Sequence, residues 1–163
     1  MVLKINKKAQ IWYSDFMVGL LIFIIVVFVY YEFAYNFNED PGEIIYELMM
    51  EAKSISSSLI GEGFPSNWSK DNVKIIGIGD GNHRSVEQKL SMFYDMTYLE
   101  TRSKLRSIYN YYFHLEYLNG TIIIIDGKNG AGIEPLNQKN LATISRIIIY
   151  DSNLARMVVQ VWQ

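Results

Sequence analysis

The chain has 163 residues, of which 50% are hydrophobic, and it carries a formal net charge of −2 with no cysteine. The absence of cysteine excludes disulfides and cysteine-ligated metal sites. No run of five basic residues occurs, which argues against nucleic acid as a partner. The length fits one membrane segment followed by one ordinary domain that buries its own core.

A continuous apolar segment near the N-terminus is the strongest pattern in the sequence. Residues 16–31 are all apolar, aromatic or glycine, and residues 11–37 contain only two acids, Asp15 and Glu32. A bilayer core of about 30 Å requires about 20 apolar helical residues, and backbone groups in lipid must be paired within the segment. The pattern therefore predicts a transmembrane helix over residues 10–37.

Charges on the two sides of this segment predict its orientation. Three lysines precede it and three acids follow it, namely Lys4, Lys7, Lys8, Glu39, Asp40 and Glu43. Because lysines stay on the cytoplasmic side, the N-terminus is expected inside the cell and residues 38–163 outside. The segment ends in bulky aromatic residues instead of small ones, which predicts an anchor that is kept and not a secretory signal that is removed.

The tetrapeptide Lys7-Lys8-Ala9-Gln10, followed by an apolar helix with an early acid, resembles the class III signal peptide of archaeal type IV pilins. The resemblance implies that a prepilin-type peptidase cuts between Ala9 and Gln10 on the cytoplasmic side. Residues 1–9 would then be a leader, residues 10–37 the transmembrane and assembly helix, and residues 38–163 an extracytoplasmic domain.

The acid early in the helix has two interpretations. Asp15 is either an ordinary charge at the membrane surface or, as the resemblance implies, the partner of the new N-terminal amine of a neighbouring subunit. Pairing would offset the cost of burying either charge. In pilins the acid usually stands at the fifth mature position, which here is Ser14, with Asp15 one residue later.

The region after the anchor begins with a predicted helix. Asp40 can cap this helix, Pro41 fits its first position and Glu43 fits a capping box. Apolar residues then recur at helical spacing until Gly61, and the Met49-Met50 pair within them is interpreted as core filler.

Further along, the pattern predicts an α+β domain of about five mainly antiparallel strands packed against two or three helices. The predicted elements are a short strand at 73–78, a helix at 85–95 capped by Ser85, a helix from a Thr97/Glu100 capping box to about 107, a hairpin of 109–117 and 121–125 with its turn at Asn119-Gly120, a polar loop at 127–140, and a second hairpin of 141–150 and 154–162. The four consecutive isoleucines in 121–125 predict a strand that is buried on both faces.

No catalytic constellation can be assembled from the sequence. His114 falls on the polar face of a predicted strand, and His83 lies in a glycine-rich turn whose glycines lack the spacing of a phosphate cradle. Residues 126–130 only faintly resemble a calcium loop, because the remaining acids are missing. The motifs therefore predict no catalytic residue, metal or cofactor.

Two N-x-S/T sequons are possible glycosylation sites. Asn67 and Asn119 both fall in predicted loops on the exported side, where glycans can be attached. Asn119 is already explained by its turn with Gly120, since Asn-Gly favours a tight hairpin.

The combined prediction is a structural subunit of a type IV pilus-like cell-surface filament, a major or minor pilin or a pilin-like protein. Its expected partners are membrane lipid, a prepilin-type peptidase, and other copies of itself or related pilins through the N-terminal helix. Two alternatives stay open. One is an uncleaved, single-pass, membrane-anchored binding or sensor domain outside the cytoplasm, and the other is an anchored enzyme with His83 as its only candidate.

Overall fold

The computed structural model describes residues 7–37 and 41–163, with side chains for residues 12–34 and 42–163. The chain divides into two compact units, Met1–Asp40 and Pro41–Gln163. The described elements are α1 (Lys7–Phe37), α2 (Pro41–Ile60), α3 (Glu87–Asp95), α4 (Tyr98–Leu105), β1 (Asn110–Tyr117), β2 (Ala131–Gly132), β3 (Leu141–Tyr150) and β4 (Asn153–Trp162).

The first unit contains α1, and its described side chains are exposed from Trp12 to Phe33. Within α1, the segment Trp12–Ala34 has 23 residues and a mean hydropathy of 2.5, which makes it long and apolar enough to cross a membrane. The predicted N-terminal apolar helix is therefore confirmed.

The second unit is built on a four-stranded antiparallel sheet with the strand order β2-β1-β4-β3. The last strand is central, since β4 pairs with β1 on one side and with β3 on the other. Together with three helices this sheet confirms the predicted α+β class, although it has four strands and not five.

One face of the sheet is covered by helices and forms the core. In α2, Leu48, Ala52, Ile55 and Leu59 are buried at helical spacing, and this helix packs against β3 and β4. Towards β1 the cover comes from α3, where the ring of Phe93 meets that of Phe113 at 5.3 Å between centroids. Successive side chains of a strand point to opposite faces, so the neighbours of these core residues in β1 and β4 lie on the outer face, where Tyr112, Val158 and Trp162 are also buried.

The predicted strand at 73–78 is wrong, because within the described part of the chain this segment joins no ladder. Ile75 forms an isolated bridge with Phe64, and Gly79, directly after the segment, forms one with Ser85. The backbone here lies against the segment after α2, where the Gly79 amide donates to the carbonyl of Gly61 at 2.9 Å. A Cβ on Gly79 would lie 2.0 Å from the Ile60 carbonyl oxygen, so the glycine permits this close approach.

The predicted strand at 121–125 is also wrong in its burial. Ile123 and Ile125 are 4% exposed, whereas Ile122 is 39% and Ile124 63% exposed. The segment follows β1 through a single bridge between Glu116 and Ile122. A run of four isoleucines therefore alternates between core and solvent, because only one side of this segment meets the domain. The loop predicted at 127–140 contains the short strand β2.

The helix boundaries differ from the prediction in informative ways. Ser85 does not cap α3, because its hydroxyl donates to the carbonyl of Ile149 at 3.2 Å, and the helix begins two residues later. The Thr97/Glu100 capping box of α4 is confirmed, with both reciprocal bonds present. This helix ends at Leu105 instead of 107, since Arg106 adopts a left-handed conformation with φ of 56°. The predicted cap at Asp40 lies outside the described residues.

Candidate membrane and assembly site

The leader and cleavage residues lie at the start of α1. The backbone of Lys7, Lys8, Ala9 and Gln10 is helical, and their side chains lie outside the described part of the chain. The predicted cleavage point between Ala9 and Gln10 therefore falls before Trp12–Ala34, the segment that is long and apolar enough to cross a membrane.

Asp15 is exposed on α1 within this apolar segment. Residues four apart lie on the same face of a helix, so Asp15 shares its face with Gly19. No other atom approaches within 4 Å of the position of a Cβ on Gly19. An acid and a small residue on one face of an apolar helix permit close approach of a second helix and supply it with a charge to bind.

Helical geometry constrains which amine Asp15 could meet. Gln10 and Asp15 are five residues apart, which in an α-helix corresponds to a rise of about 7.5 Å and a rotation of about 140°. An amine at Gln10 and the carboxylate of Asp15 would then point to different sides of one helix. A pair between them requires two chains that are displaced along the helix axis.

A further apolar surface lies on α2 and was missed by the sequence analysis. Met49 and Met50 are 51% and 48% exposed, so their interpretation as core filler is wrong. Tyr46, one turn earlier, is 64% exposed on the same side of the helix. Met49 follows the apolar spacing of the buried face and Met50 lies directly after it, so the apolar pattern alone could not tell the two sides of the helix apart.

The two sequons lie on the surface. Asn67 is exposed in a turn, next to the buried Trp68, whose Nε1 donates to the carbonyl of Gly77 at 2.8 Å. Asn119 is exposed in the turn after β1, where its Oδ1 accepts a bond from the amide of Thr121 at 2.9 Å. The exposure of both asparagines is compatible with glycan attachment.

The glycine-rich turn around His83 is held by hydrogen bonds between its own residues. The Asp80 carboxylate accepts bonds from the amides of Asn82 at 2.8 Å and Arg84 at 3.2 Å, and the bond from Asn82 lowers the pKa of Asp80. His83 is exposed with a left-handed φ of 59°, and its carbonyl accepts a bond from the Ile149 amide. The turn ties the chain to β3, and the amides of Asp80, Asn82 and Arg84 are bonded within the turn instead of being offered to a phosphate.

His114 occupies a less solvated position than its strand pattern predicts. It lies half-buried on the outer face of β1, with its ring 5.4 Å from that of Tyr112. Among the described residues, nothing forms a hydrogen bond with its buried Nδ1. Burial lowers the pKa of His114, and the nearby carboxylates of Glu116 and Glu134 counteract this only in part.

The region of the faint calcium loop is held by ordinary side-chain bonds. The Ser91 hydroxyl donates to the carboxylate of Asp126, and Asp95 forms ion pairs with Lys128 at 2.7 Å and Lys70 at 2.9 Å. The bond from Lys128 is the main cause that lowers the pKa of Asp95 to about 2. Across residues 7–37 and 41–163, the described side chains form no cluster of three or more potential metal ligands.

Comparison with known proteins adds no relative to this description. No family model, no curated protein and no solved structure matches the chain. Function must therefore be inferred from α1 and the domain that follows it.

Proposed function

We propose that this chain is a structural subunit of a type IV pilus-like cell-surface filament, held in the membrane by α1 before assembly. The observation that carries the proposal is Asp15 on the exposed apolar surface of α1, beside Gly19. An acid at the centre of a membrane helix costs about 2.5–3.5 kcal/mol, and less near the interface. A plain anchor gains nothing from such a residue, whereas an assembling helix gains a bonding partner.

The arrangement after the anchor adds support. A second helix, α2, follows α1 closely in the sequence and packs along one face of an antiparallel sheet. Its outward surface carries Tyr46, Met49 and Met50, which are apolar and exposed. A filament subunit needs such apolar helical surfaces to contact its neighbours. The sequence order of apolar helix, second helix and sheet supports the proposal, because it resembles the order expected of a pilin-like protein.

In this proposal the N-terminus is cytoplasmic and the domain lies outside. A prepilin-type peptidase removes residues 1–9, and the new amine at Gln10 binds Asp15 of a neighbouring copy. The apolar side chains of α1 contact lipid before assembly and other α1 helices afterwards. Membrane lipid, the peptidase, and copies of this chain or of related pilins are therefore its partners.

The decisive experiment is mass spectrometry of the N-terminal peptide from protein recovered with its native membrane. The expected peptide begins at Gln10, and the spectrum also reports whether its amine is free or lost by cyclisation of the glutamine. Replacing Ala9 with Phe should block processing, whereas Ala34→Phe at the other end of the segment should not. A peptide that begins at Met1 or Val2 would refute the processing step and support an uncleaved, anchored binding or sensor domain.

The role of Asp15 is tested in the same cells. Asp15→Ala should abolish or strongly reduce surface filaments and leave the chain in the membrane fraction, because the apolar segment is unchanged. Asp15→Glu keeps the charge and should restore at least part of the assembly. Filaments of normal number and length from the alanine variant would rule out the pairing role.

A further inference from the structure

The two edges of the sheet differ in how they are protected. The outer side of β1 is covered by β2 and by residues 121–123, whose backbone bonds include Ile123 to Leu115 at 2.8 Å. Among the described residues, the outer side of β3 is covered only at one end, where Ile149 exchanges bonds with His83 and Ser85, each at 2.9 Å. The stretch 141–147 is therefore an edge whose backbone groups are available for pairing.

The hairpin register identifies these groups. Tyr150 and Asn153 flank the two-residue turn of the β3–β4 hairpin, so the even-numbered residues of β3 bond to β4 and the odd-numbered residues face the edge. The bonds of Ile149 to His83 and Ser85 agree with this assignment. Within the described residues, the amides and carbonyls of Leu141, Thr143, Ser145 and Ile147 have no partner on that side.

Most of the usual devices that prevent strand pairing are missing from the stretch 141–147. Natural edges are blunted by proline, by charged side chains or by a covering segment. The stretch 141–147 contains no proline, and its odd-numbered side chains are all uncharged. Its one charged residue, Arg146, points to the helical side, where its Nη2 donates to the Ser57 hydroxyl at 2.9 Å.

We infer that the β3 edge binds the β3 edge of a second copy of this chain in antiparallel orientation, centred on Ile144. In this register Leu141 lies opposite Ile147 of the partner subunit, and Thr143 lies opposite Ser145 of the partner subunit. The pairs are apolar with apolar and hydroxyl with hydroxyl, which are favourable cross-strand combinations. All four free positions of each strand gain a partner.

The register is specific because its neighbours fit less well. A pair centred on Ser145 would place Leu141 opposite Ile149, which the segment 83–85 already occupies. A pair centred on Thr143 would place Ile147 opposite position 139, which lies before the start of β3. A two-fold axis through Ile144 joins the two sheets into one continuous sheet, with the α2 helices of both copies on the same face. Because each copy uses the same edge for this pairing, the association stops at a dimer and does not continue into a longer assembly.

This pairing goes beyond the proposed function and does not depend on it. A polar filament of identical subunits has no two-fold axis between neighbours, so the pair belongs to the unassembled, membrane-held chain. If the filament proposal fails and the chain is a plain anchored domain, the edge and its partner are unchanged. The test can therefore be made with the intact chain in its native membrane.

Cysteine cross-linking tests the pair cleanly, because the chain has no cysteine of its own. In Ile144→Cys the two Cα atoms would form a non-hydrogen-bonded antiparallel pair about 4.5 Å apart, within the range that a disulfide spans. Mild oxidation should convert most of this variant to a covalent dimer. Gln88→Cys, exposed on α3, is the matched control for random collision and should stay monomeric.

The register is tested by mixing two variants. Thr143→Cys and Ser145→Cys should each form little dimer alone, because each faces the other position, and should form a heterodimer when both are expressed together. Thr143→Pro in the Ile144→Cys chain should abolish the cross-link. Its lost amide faces the edge, so the β3–β4 ladder and the circular dichroism spectrum should be retained.

Three outcomes would overturn the inference. They are an Ile144→Cys chain that stays monomeric, equal cross-linking through Gln88→Cys, and a dimer that survives Thr143→Pro in a chain with a native spectrum.

Discussion

At the scale of single residues, His114 illustrates how context changes the chemistry of a side chain. Its strand position predicts a solvated imidazole, yet Tyr112 and the surrounding sheet bury one of its nitrogens without a bonding partner. Burial disfavours the charged form, and the pKa of His114 is lowered from its ordinary value near 6.5. The folded domain therefore prefers the neutral imidazole.

This preference predicts a pH dependence of stability. A lowered pKa means that the unfolded chain binds more protons than the folded chain, so stability falls as pH drops below about 6.5. His114→Gln should lose part of this decrease between pH 7 and 5, measured as the free energy of unfolding by urea in detergent with near-ultraviolet circular dichroism. His83→Gln, at an exposed turn, is the control and should keep the parent slope. Equal slopes for parent and His114→Gln would contradict the assignment.

Residue patterns that act locally were predicted correctly, and those that need a neighbour were not. The Thr97/Glu100 capping box satisfies backbone groups within four residues of itself, so the sequence alone identifies it. Ser85 has the same type of signature, but its hydroxyl bonds to Ile149, 64 positions away in the chain. A hydrogen-bond acceptor so far away in the chain cannot be recognised from the residues next to Ser85. The same reason explains why Met49 and Met50 were assigned to the core.

At the scale of elements, paired glycines join the segment after α2 to the segment before α3. Gly61 and Gly63 face Gly77 and Gly79, and a Cβ on Gly77 would lie 2.2 Å from the amide nitrogen of Gly63. The alternating glycines that resemble an incomplete phosphate cradle are thus explained by backbone packing. The prediction of a strand at 73–78 failed because these glycines let the segment pack its backbone closely against the loop after α2 instead of pairing in the sheet.

The contact gives a sharp prediction for Gly79→Ala. The new methyl group would meet the carbonyl of Ile60, which is backbone and cannot rotate away, so the free energy of unfolding should fall by about 3 kcal/mol or more. Gly127→Ala has open space but a left-handed φ of 77°, and should cost only about 1 kcal/mol. Urea unfolding of both variants gives the comparison. Similar costs would mean that the close approach is not maintained in solution.

At the scale of the whole molecule, the chain separates an apolar unit from a domain with its own core. The sequence predicted the α+β class and the N-terminal apolar helix correctly, because both follow from composition and periodicity over long windows. The number of strands and their order depend on pairing between distant segments and could not be read from it. The roles of Ala9, Gln10 and Asp15 stay predictions, because they concern a peptidase and a second chain.

Because α1 and the domain belong to different compact units, we expect that substitutions in the apolar segment of α1 leave the stability of the domain unchanged. Twelve Leu, Ile, Val and Phe residues in 16–31 supply about −4 to −7 kcal/mol of insertion free energy. One arginine costs about 3 kcal/mol, so Ile24→Arg should remain in the membrane, whereas Ile24→Arg/Val27→Arg should be largely released. Alkaline extraction measures the released fraction, with Ile24→Leu/Val27→Leu as control. A change in domain unfolding in the double arginine variant would argue against independent units.

The central place of β4 has a consequence for how the protein is made. This strand is the last of the four to be synthesised, yet β1 and β3 both depend on it, and residues 118–152 separate β1 from its partner. The chain loses conformational entropy when this long connection closes, before the strand pairing of the sheet contributes any stabilisation. Synthesis must therefore run through β4 before the sheet can form, and a ribosome stalled before Asn153 would leave β1 and β3 without the strand that joins them.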